Sequence, residues 1–192
     1  MIQSDKFDSS NMNIKKLINS LLIFTIKKLI EITGIIFSIL GALLFLALIS
    51  YSPEDPNFIF PDNVEIKNIL GFQGSLVADF FLQSIGLIAY LIPITYIFTG
   101  FNIFKKKEIF LSIENTFFII LYSLIGSSFF NFFYKDTFSL YINSNGGFIG
   151  NYLNESFLNS IIGPYKNIYF YIFIILILIL FLISINFNTK NF

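Results

Sequence analysis

Four long apolar stretches, separated by shorter polar segments, dominate the pattern of this chain. They are residues 29–51, 80–104, 113–133 and 168–185. Each is close to the roughly 20 residues that an α-helix needs to cross the hydrocarbon core of a bilayer. Open strands are not expected there, because backbone amides in lipid must find their hydrogen-bond partners within their own segment. The pattern predicts an all-α membrane protein with four transmembrane helices, arranged as two tandem helical hairpins with amphipathic outer segments.

Residues 1–28 form a polar and then basic lead ahead of the first stretch. From Ile14 to Leu29 its apolar residues follow helical spacing, with lysine pairs near either end, at 15–16 and 27–28. These apolar residues are Ile14, Leu17, Ile18, Leu21 and Leu22. The pattern predicts an amphipathic helix that rests on the anionic inner leaflet, and the alternative is a docking helix for a partner. No small-residue cleavage pattern follows the first stretch, so the lead is not expected to be a cleaved signal peptide.

The lysines lie on alternate sides of the predicted spans. Lys15, Lys16, Lys27 and Lys28 shortly precede the first span, and Lys105, Lys106 and Lys107 lie between the second and the third. The segment 52–79 between the first two spans carries five acidic residues but a single lysine, Lys67. Because lysine is retained on the cytoplasmic side, both termini are predicted to be cytoplasmic, with residues 186–192 as a short cytoplasmic tail.

The composition narrows the chemistry that this chain can perform. Hydrophobic residues make up 55% of the 192 residues, and 12 basic residues balance 12 acidic ones. There is no Arg, His or Cys. The commonest zinc ligands, thiol nucleophiles and bidentate phosphate donors are therefore missing. We expect no catalytic, metal or cofactor site and no direct binding of nucleic acid.

The segment that follows the first span predicts a capped turn. Ser52 suits an N-cap, Pro53 suits the first helical position, and Asp55 lies where the partner in a capping box stands. Glu54 and Asp55 could also be imagined as an acid–base or metal pair, but two adjacent acids without a third ligand are more often structural. Asp79 is expected to be a boundary charge near the start of the second span, and Pro93 is expected to bend that span near its middle.

The second half of the chain repeats the first at a constant offset of about 76 residues. The matched pairs are Gly71 with Gly147, Gly74 with Gly150, Asp79 with Glu155, Leu82 with Leu158 and Ser84 with Ser160. Each copy contains two crossings, so the copies have the same orientation. The inverted repeats of many transporters need an odd number of crossings per copy, which counts against alternating access.

Small residues line one face of the first span. They are Gly34, Ser38, Gly41 and Ala42. Such a face lets two helix backbones approach closely, and packing within the chain is expected rather than packing against another subunit.

Several of these elements resemble the N-terminal four-helix membrane domain of FtsK-type DNA translocases. The most specific runs from Ser50 to Pro56, and Gly71-Phe72-Gln73-Gly74 and Ala78-Asp79 follow it. The similarity extends from about residue 29 to 185 and includes the lysines at 105–107 and a weaker segment at 147–163. The residues that carry the family's motif are Ser50, Tyr51, Pro53, Asp55, Pro56, Gly71, Gly74, Asp79, Gly86 and Pro93.

The resemblance implies a role in bacterial cell division and chromosome segregation. In that family the membrane domain anchors and helps assemble the translocase at the septum of the inner membrane, while a distant cytoplasmic ATPase pumps DNA. The expected partners are the lipid bilayer, further copies of the chain and other division proteins. The sequence continues only a few residues beyond the fourth span, so we expect this chain to carry no motor and no enzyme activity.

Two other classes of function are considered beside this one. A small transporter or channel needs a continuous polar path, for which the spans offer Ser, Thr, Asn131 and Pro93 without a mid-membrane charge. A membrane-embedded enzyme needs a cluster of acid, base or nucleophile, and no such cluster stands out in the sequence.

Overall fold

Every regular secondary-structure element in the described residues is a helix. The computed structural model describes residues 2–56, 65–135 and 143–186, and the prediction of an all-α protein is confirmed for them. Short 3₁₀ segments at Gly86–Tyr90 and Gly163–Tyr165 and a π-helical segment at Asn154–Leu158 connect some of the α-helices. The α-helices are α1 (Ile2–Ile49), α2 (Gly71–Ile85), α3 (Leu91–Lys106), α4 (Phe110–Phe133), α5 (Gly147–Leu153), α6 (Asn159–Ile162) and α7 (Lys166–Ser184).

Four helical stretches in the described residues are long and apolar enough to cross a membrane, as predicted. They are Lys15–Ile49, Gly71–Lys106, Phe110–Phe133 and Asn159–Ser184. The third stretch begins three residues before the predicted span 113–133 and ends with it. The other three begin earlier than predicted, at residue 15 instead of 29, at 71 instead of 80 and at 159 instead of 168. Within the last stretch, α7 itself agrees with the predicted span 168–185 to within two residues at each end.

The spans form two antiparallel hairpins. In the first, α1 packs against α3, and in the second, α4 packs against α7 with aromatic contacts such as Phe133 to Phe170, whose ring centroids are 5.1 Å apart. Hydrogen bonds between α3 and α4 join the hairpins. We call the end of the bundle that carries Lys105–Lys107 the basic end, and the opposite end the clasp end.

The small-residue face of α1 packs within the chain, as predicted. A Cβ atom added to Gly34 would lie 2.7 Å from the Gly100 carbonyl oxygen of α3, and one added to Gly41 would lie 2.9 Å from the Pro93 carbonyl oxygen. Between them, the Ser38 hydroxyl donates to the Ile97 carbonyl oxygen at 3.3 Å. Ala42 is exposed and takes no part in this contact.

The second span is broken at Gly86, and the prediction that Pro93 bends it was wrong. Gly86 has a φ angle of +73°, a conformation that residues with a Cβ rarely adopt, and α2 ends there. A 3₁₀ segment follows before α3 begins at Leu91. Pro93 lies in the first turn of α3, where a backbone N–H would have no helical partner, so the proline starts a helix instead of bending one.

This break gives a first prediction. Gly86→Ala should destabilise the protein by about 2 kcal/mol, because alanine needs a strained φ there and its Cβ would overlap the Asn145 carbonyl group. Pro93→Ala should change stability by less than about 1 kcal/mol, because the restored N–H lies among the unpaired amides of a first turn. Unfolding of both variants in detergent, titrated with sodium dodecyl sulfate, compares them. Equal destabilisation by the two substitutions would contradict the assignment of the break.

The internal repeat is visible in the backbone. Gly71 and Gly147 each begin a helix with nearly the same positive φ, 67° and 65°. The amide of each donates to a carbonyl three residues earlier, at 2.9 Å to Asn68 and 3.0 Å to Ser144. Each repeat thus places a helical segment, then a 3₁₀ turn, then a span that returns to the basic end. The predicted duplication therefore extends to local geometry.

A buried polar stripe on α4, which the sequence analysis did not identify, ties three spans together. The Asn115 side chain donates to the Thr99 hydroxyl of α3 at 2.7 Å. Further along α4, the Tyr122 hydroxyl lies 3.1 Å from the Thr95 hydroxyl, which in turn lies 3.1 Å from the Ser184 hydroxyl of α7. All five side chains are almost fully buried. Hydrogen bonds between spans stabilise packing where the lipid gives no hydrophobic driving force.

Candidate functional site: two clasps

The residues from Ser50 to Pro56 form the core of a compact polar structure at the clasp end. Together with residues 67–75 and the side chains of Asp79 and Gln83 they make up what we call the first clasp. It joins the end of α1 to the start of α2. The last carbonyl groups of a helix and the first amides of the next have no helical partners, and the first clasp supplies them.

Asp55 is the central acceptor of the first clasp. Its two carboxylate oxygens accept the backbone amides of Lys67 and Asn68 at 2.8 and 2.9 Å, and the residue is 1% exposed. The prediction that Asp55 completes a capping box with Ser52 was wrong, because the carboxylate reaches across to the far side of the loop. Ser52 makes a local contact, accepting the Glu54 amide at 3.4 Å.

Asn68 is the central donor of the first clasp. Its amide nitrogen donates to the carbonyl oxygens of Ala47 and Ser50 at 2.9 and 3.4 Å, which are among the last carbonyls of α1. Its side-chain oxygen accepts the Leu70 amide at 3.1 Å. A Cβ atom at Gly74 would overlap that oxygen, so the glycine leaves the space that Asn68 occupies.

Tyr51 and Asp79 link the clasp to α2. The Tyr51 hydroxyl donates to the Asp79 carboxylate at 3.1 Å and accepts the Gln83 side-chain amide at 3.3 Å. Asp79 lies two turns inside α2, within the distance from a helix end expected of a boundary charge, but at 9% exposure it is buried against the clasp instead of reaching water. Burial raises the pKa of Tyr51 to about 12, and the nearby Asp79 contributes to that rise.

This pair gives a second prediction. Tyr51→Phe should lower the free energy of unfolding by about 1 kcal/mol at neutral pH, through loss of the bond to Asp79. Because the folded pKa of Tyr51 lies above the ordinary value of 10.0, its contribution is full below pH 10 and is lost as the pH rises towards 12. Unfolding in detergent as a function of pH should therefore show an alkaline decline that is smaller in the variant. Parallel curves from pH 8 to 12 would contradict the assignment.

A second clasp joins α4 to α5 by the same principle. The Asn145 side-chain amide donates to the Tyr134 carbonyl oxygen just beyond α4, as Asn68 does at the end of α1. The Asn131 side-chain amide donates to the Ser144 hydroxyl at 3.1 Å and to the Asn151 side-chain oxygen at 2.5 Å. Of these residues, the sequence analysis named only Asn131 as a polar residue. Ser144 stands three residues before Gly147, as Asn68 stands three before Gly71, and this shared spacing was the signal available.

The second clasp docks on the break in the second span. The Leu87 amide, freed by the end of α2, donates to the Asn145 carbonyl oxygen at 2.9 Å. A Cβ atom at Gly147 would lie 2.5 Å from the Gly86 nitrogen, so the two glycines touch backbone to backbone. The two hairpins are therefore joined at the clasp end through glycines that the repeat and the motif had singled out.

Most of the predicted motif residues come together in the first clasp. The Ser50 hydroxyl accepts the Ile69 amide at 3.2 Å, and the Pro56 carbonyl accepts the Ser75 hydroxyl at 3.1 Å. Pro53 lies in the turn itself. Gly86 and Pro93 lie farther along, at the break and at the start of α3. The motif therefore describes how α1, α2 and α3 are joined.

The clasps do not carry an obvious catalytic arrangement. Among residues 2–56, 65–135 and 143–186 no group of three potential metal ligands is brought together. Glu54, next to Asp55, forms an exposed ion pair with Lys67, which keeps the pKa of Glu54 below its usual value. The arrangement can stabilise a hairpin.

Comparison with known sequences decides the family. Residues 27–190 match the profile of the family described as the 4TM region of DNA translocase FtsK/SpoIIIE. This chain belongs to that family. The resemblance recognised from the clasp motif is confirmed, and the four helices are those of an FtsK-type membrane region.

Curated FtsK proteins show the same relationship. The DNA translocase FtsK of Shewanella oneidensis is 35% identical over 102 residues, which are 53% of this chain and 11% of that protein. That of Rickettsia prowazekii is 29% identical over 148 residues, 73% of this chain and 19% of that protein. That of Rickettsia typhi is 31% identical over 98 residues, 51% of this chain and 13% of that protein. The chain thus spans less than a fifth of the length of these relatives. No solved structure matches it significantly.

Proposed function

We propose that this chain is the membrane-anchoring and assembly domain of an FtsK-like DNA translocase in bacterial cell division and chromosome segregation. The observation that carries the proposal is the family match over residues 27–190, which covers three of the membrane-length helices whole and most of the first. The relatives are named as DNA translocases, and the segment they share with this chain is a small part of them. We assign the anchoring step to this chain and attribute no catalysis to its own residues.

We propose that the protein lies in the bacterial inner membrane with the basic end in the cytoplasm. The lysines support this orientation, because Lys105, Lys106 and Lys107 all lie in or next to the short α3–α4 connection. At the same end, Glu31 of α1 pairs with Lys107 at 2.7 Å and with Lys28 at 2.7 Å. The first clasp, with Asp55 and Asp79, then faces the periplasm.

Assembly is proposed to use the lipid-facing surfaces of the spans and the loops at the clasp end. The span that ends in α7 is the least buried of the four in the described residues. Its exposed side chains include Ile175, Leu178 and Ile179. Such a surface suits contacts with further copies or with other division proteins inside the bilayer.

The buried polar stripe of α4 supports a packing role over the rival transport role. A conducting path needs polar groups that face open space. Asn115, Tyr122 and Ser127 instead pair with Thr99, Thr95 and the Gly146 carbonyl oxygen. These bonds hold the spans together, which is what an anchor requires.

Localisation tests the proposed function. A fluorescent protein fused to this chain should concentrate at the septum of dividing cells, relative to a membrane dye that reports the double membrane there. The ratio of fusion fluorescence to dye fluorescence is the control, because a protein distributed at random in the membrane gives the same ratio at the septum as elsewhere. A fusion that follows the dye everywhere would contradict the proposal, and solute flux through liposomes containing the purified chain would support the transport rival.

A further inference from the structure

The lead ahead of the first span continues without interruption into it. Helix α1 runs from Ile2 to Ile49, so the lead and the first span form one helix. The part from Lys15 to Ile49 has 35 residues, a length of about 52 Å, whereas the hydrocarbon core is about 30 Å thick. A large part of α1 therefore extends beyond the bundle.

The ion pairs of Glu31 mark where the bundle stops. Glu31 binds Lys107, which follows α3 at the basic end. Lys15 is 16 residues, or about 24 Å of helix, before Glu31. Every residue from 15 to 29 is exposed, including Leu17 at 61%, Leu21 at 57% and Phe24 at 61%. Nothing in the described part of the chain covers these apolar side chains.

Charge and apolar surface are arranged on this segment in a way that indicates its partner. At helical spacing, Leu17, Ile18, Leu21 and Leu22 share one side, Lys16, Asn19, Ser20 and Lys27 share the other, and Ile23 interrupts that polar side. No acidic residue occurs between Asp8 and Glu31. Of the four lysines in the segment, Lys28 is paired with Glu31. Positive charge without acids favours an anionic lipid surface over a second copy of the same basic helix, which would repel it.

We infer that residues 15–28 bind the surface of an anionic phospholipid leaflet, with Leu17, Leu21 and their neighbours among the acyl chains and the lysines among the headgroups. This requires α1 to bend close to Glu31, where the segment leaves the bundle. The inference goes beyond the proposed anchoring function, because four spans anchor the chain without it. It gives the domain a preference for membrane regions rich in anionic lipid.

Spin labels on the full chain test this inference. The sequence has no Cys, so a single cysteine at Leu21 or at Asn19 can be labelled in protein reconstituted into nanodiscs. In discs of phosphatidylcholine with phosphatidylglycerol, the label at Leu21 should be shielded from an aqueous nickel chelate and the label at Asn19 should remain accessible. Both leaflets of a disc are alike, so the result does not depend on the proposed orientation or on septal localisation.

The control variant replaces the three lysines of residues 15–28 that do not form an ion pair with Glu31. Lys15→Gln, Lys16→Gln and Lys27→Gln together should weaken binding about 100-fold, since each lysine near an anionic surface contributes about fivefold. The Leu21 label should then become accessible, as it should in discs of phosphatidylcholine alone. Accessibility at Leu21 in both lipids would overturn the inference. So would shielding of both labels, which indicates insertion, or spin–spin broadening in both lipids, which indicates pairing with a second copy.

Discussion

Gly100→Ala is expected to destabilise the bundle by about 3 kcal/mol, because a single methyl group there collides with the backbone of α1. A Cβ atom at Gly100 would overlap the Gly34 carbonyl oxygen and the Ser38 hydroxyl, and it would lie 2.5 Å from the Ser38 nitrogen. Backbone atoms cannot rotate away, so α1 and α3 must separate. Titration of the folded protein in mild detergent with sodium dodecyl sulfate measures the effect.

Gly163→Ala is the matched control for that substitution. Gly163 has a helical φ of −51°, and the nearest atom to an added Cβ would be 3.9 Å away. Alanine fits this backbone without strain, so the unfolding curve should not shift to lower detergent mole fraction. If Gly100→Ala and Gly163→Ala unfold alike, the close packing of α1 on α3 is not what holds the first hairpin together.

Asp55→Ala is expected to lower stability by about 3 kcal/mol, the second large effect. The substitution removes the charged acceptor of two backbone amides, those of Lys67 and Asn68, in a site that is 1% exposed. Hydrogen bonds to a charged group contribute about 1.5–3 kcal/mol each, and buried amides left without an acceptor are costly. The same titration measures the loss.

The neighbouring carboxylate supplies a control within the same turn. Glu54 pairs with Lys67 from an exposed position, with 68% of its side chain accessible. Exposed ion pairs of this kind contribute little, so Glu54→Ala should leave the unfolding midpoint where it is. If Glu54→Ala lowers stability as much as Asp55→Ala does, the negative charge of the turn is what stabilises the protein. The hydrogen bonds from the Lys67 and Asn68 amides would then not be the cause.

The sequence predicts the spans and their closest packing because both depend on local pattern. Apolar length defines a transmembrane helix wherever it lies, and small residues at Gly34, Ser38 and Gly41 predict a close contact for any antiparallel neighbour. The repeat is also local, since Gly71 and Gly147 begin equivalent helices. These features need no knowledge of which residues meet in space.

The break and the clasps depend on contacts between distant residues, so pattern alone does not reveal them. Gly86 adopts its positive φ angle beside Asn145, which lies 59 residues later in the chain. The pattern around Asp55 predicts a local capping box, because its actual hydrogen-bond donors, the backbone amides of Lys67 and Asn68, have no side-chain signature. For Pro93 the sequence predicts a bend, because a proline within a long apolar stretch normally bends a helix. The helix has just restarted there, so the proline lies in a first turn and causes no bend.

The stripe on α4 could have been found by looking for polar instead of apolar periodicity. Asn115, Tyr122, Ser123, Ser127 and Asn131 recur at helical spacing in a stretch that is otherwise rich in phenylalanine. In a membrane helix the polar face is the one that turns inward, since the lipid accepts the apolar side chains. A search for an apolar core face misses it.

Labelling of single cysteines in intact cells tests the central claim, that both hairpins enter from and return to the cytoplasmic side. The sequence has no Cys, so Glu54→Cys in the first clasp and Lys106→Cys at the basic end each provide one reactive site. With the outer membrane opened, an impermeant maleimide should label the cysteine at position 54 at once and the one at position 106 only after the inner membrane is disrupted. Labelling at 106 in cells with an intact inner membrane would contradict the account.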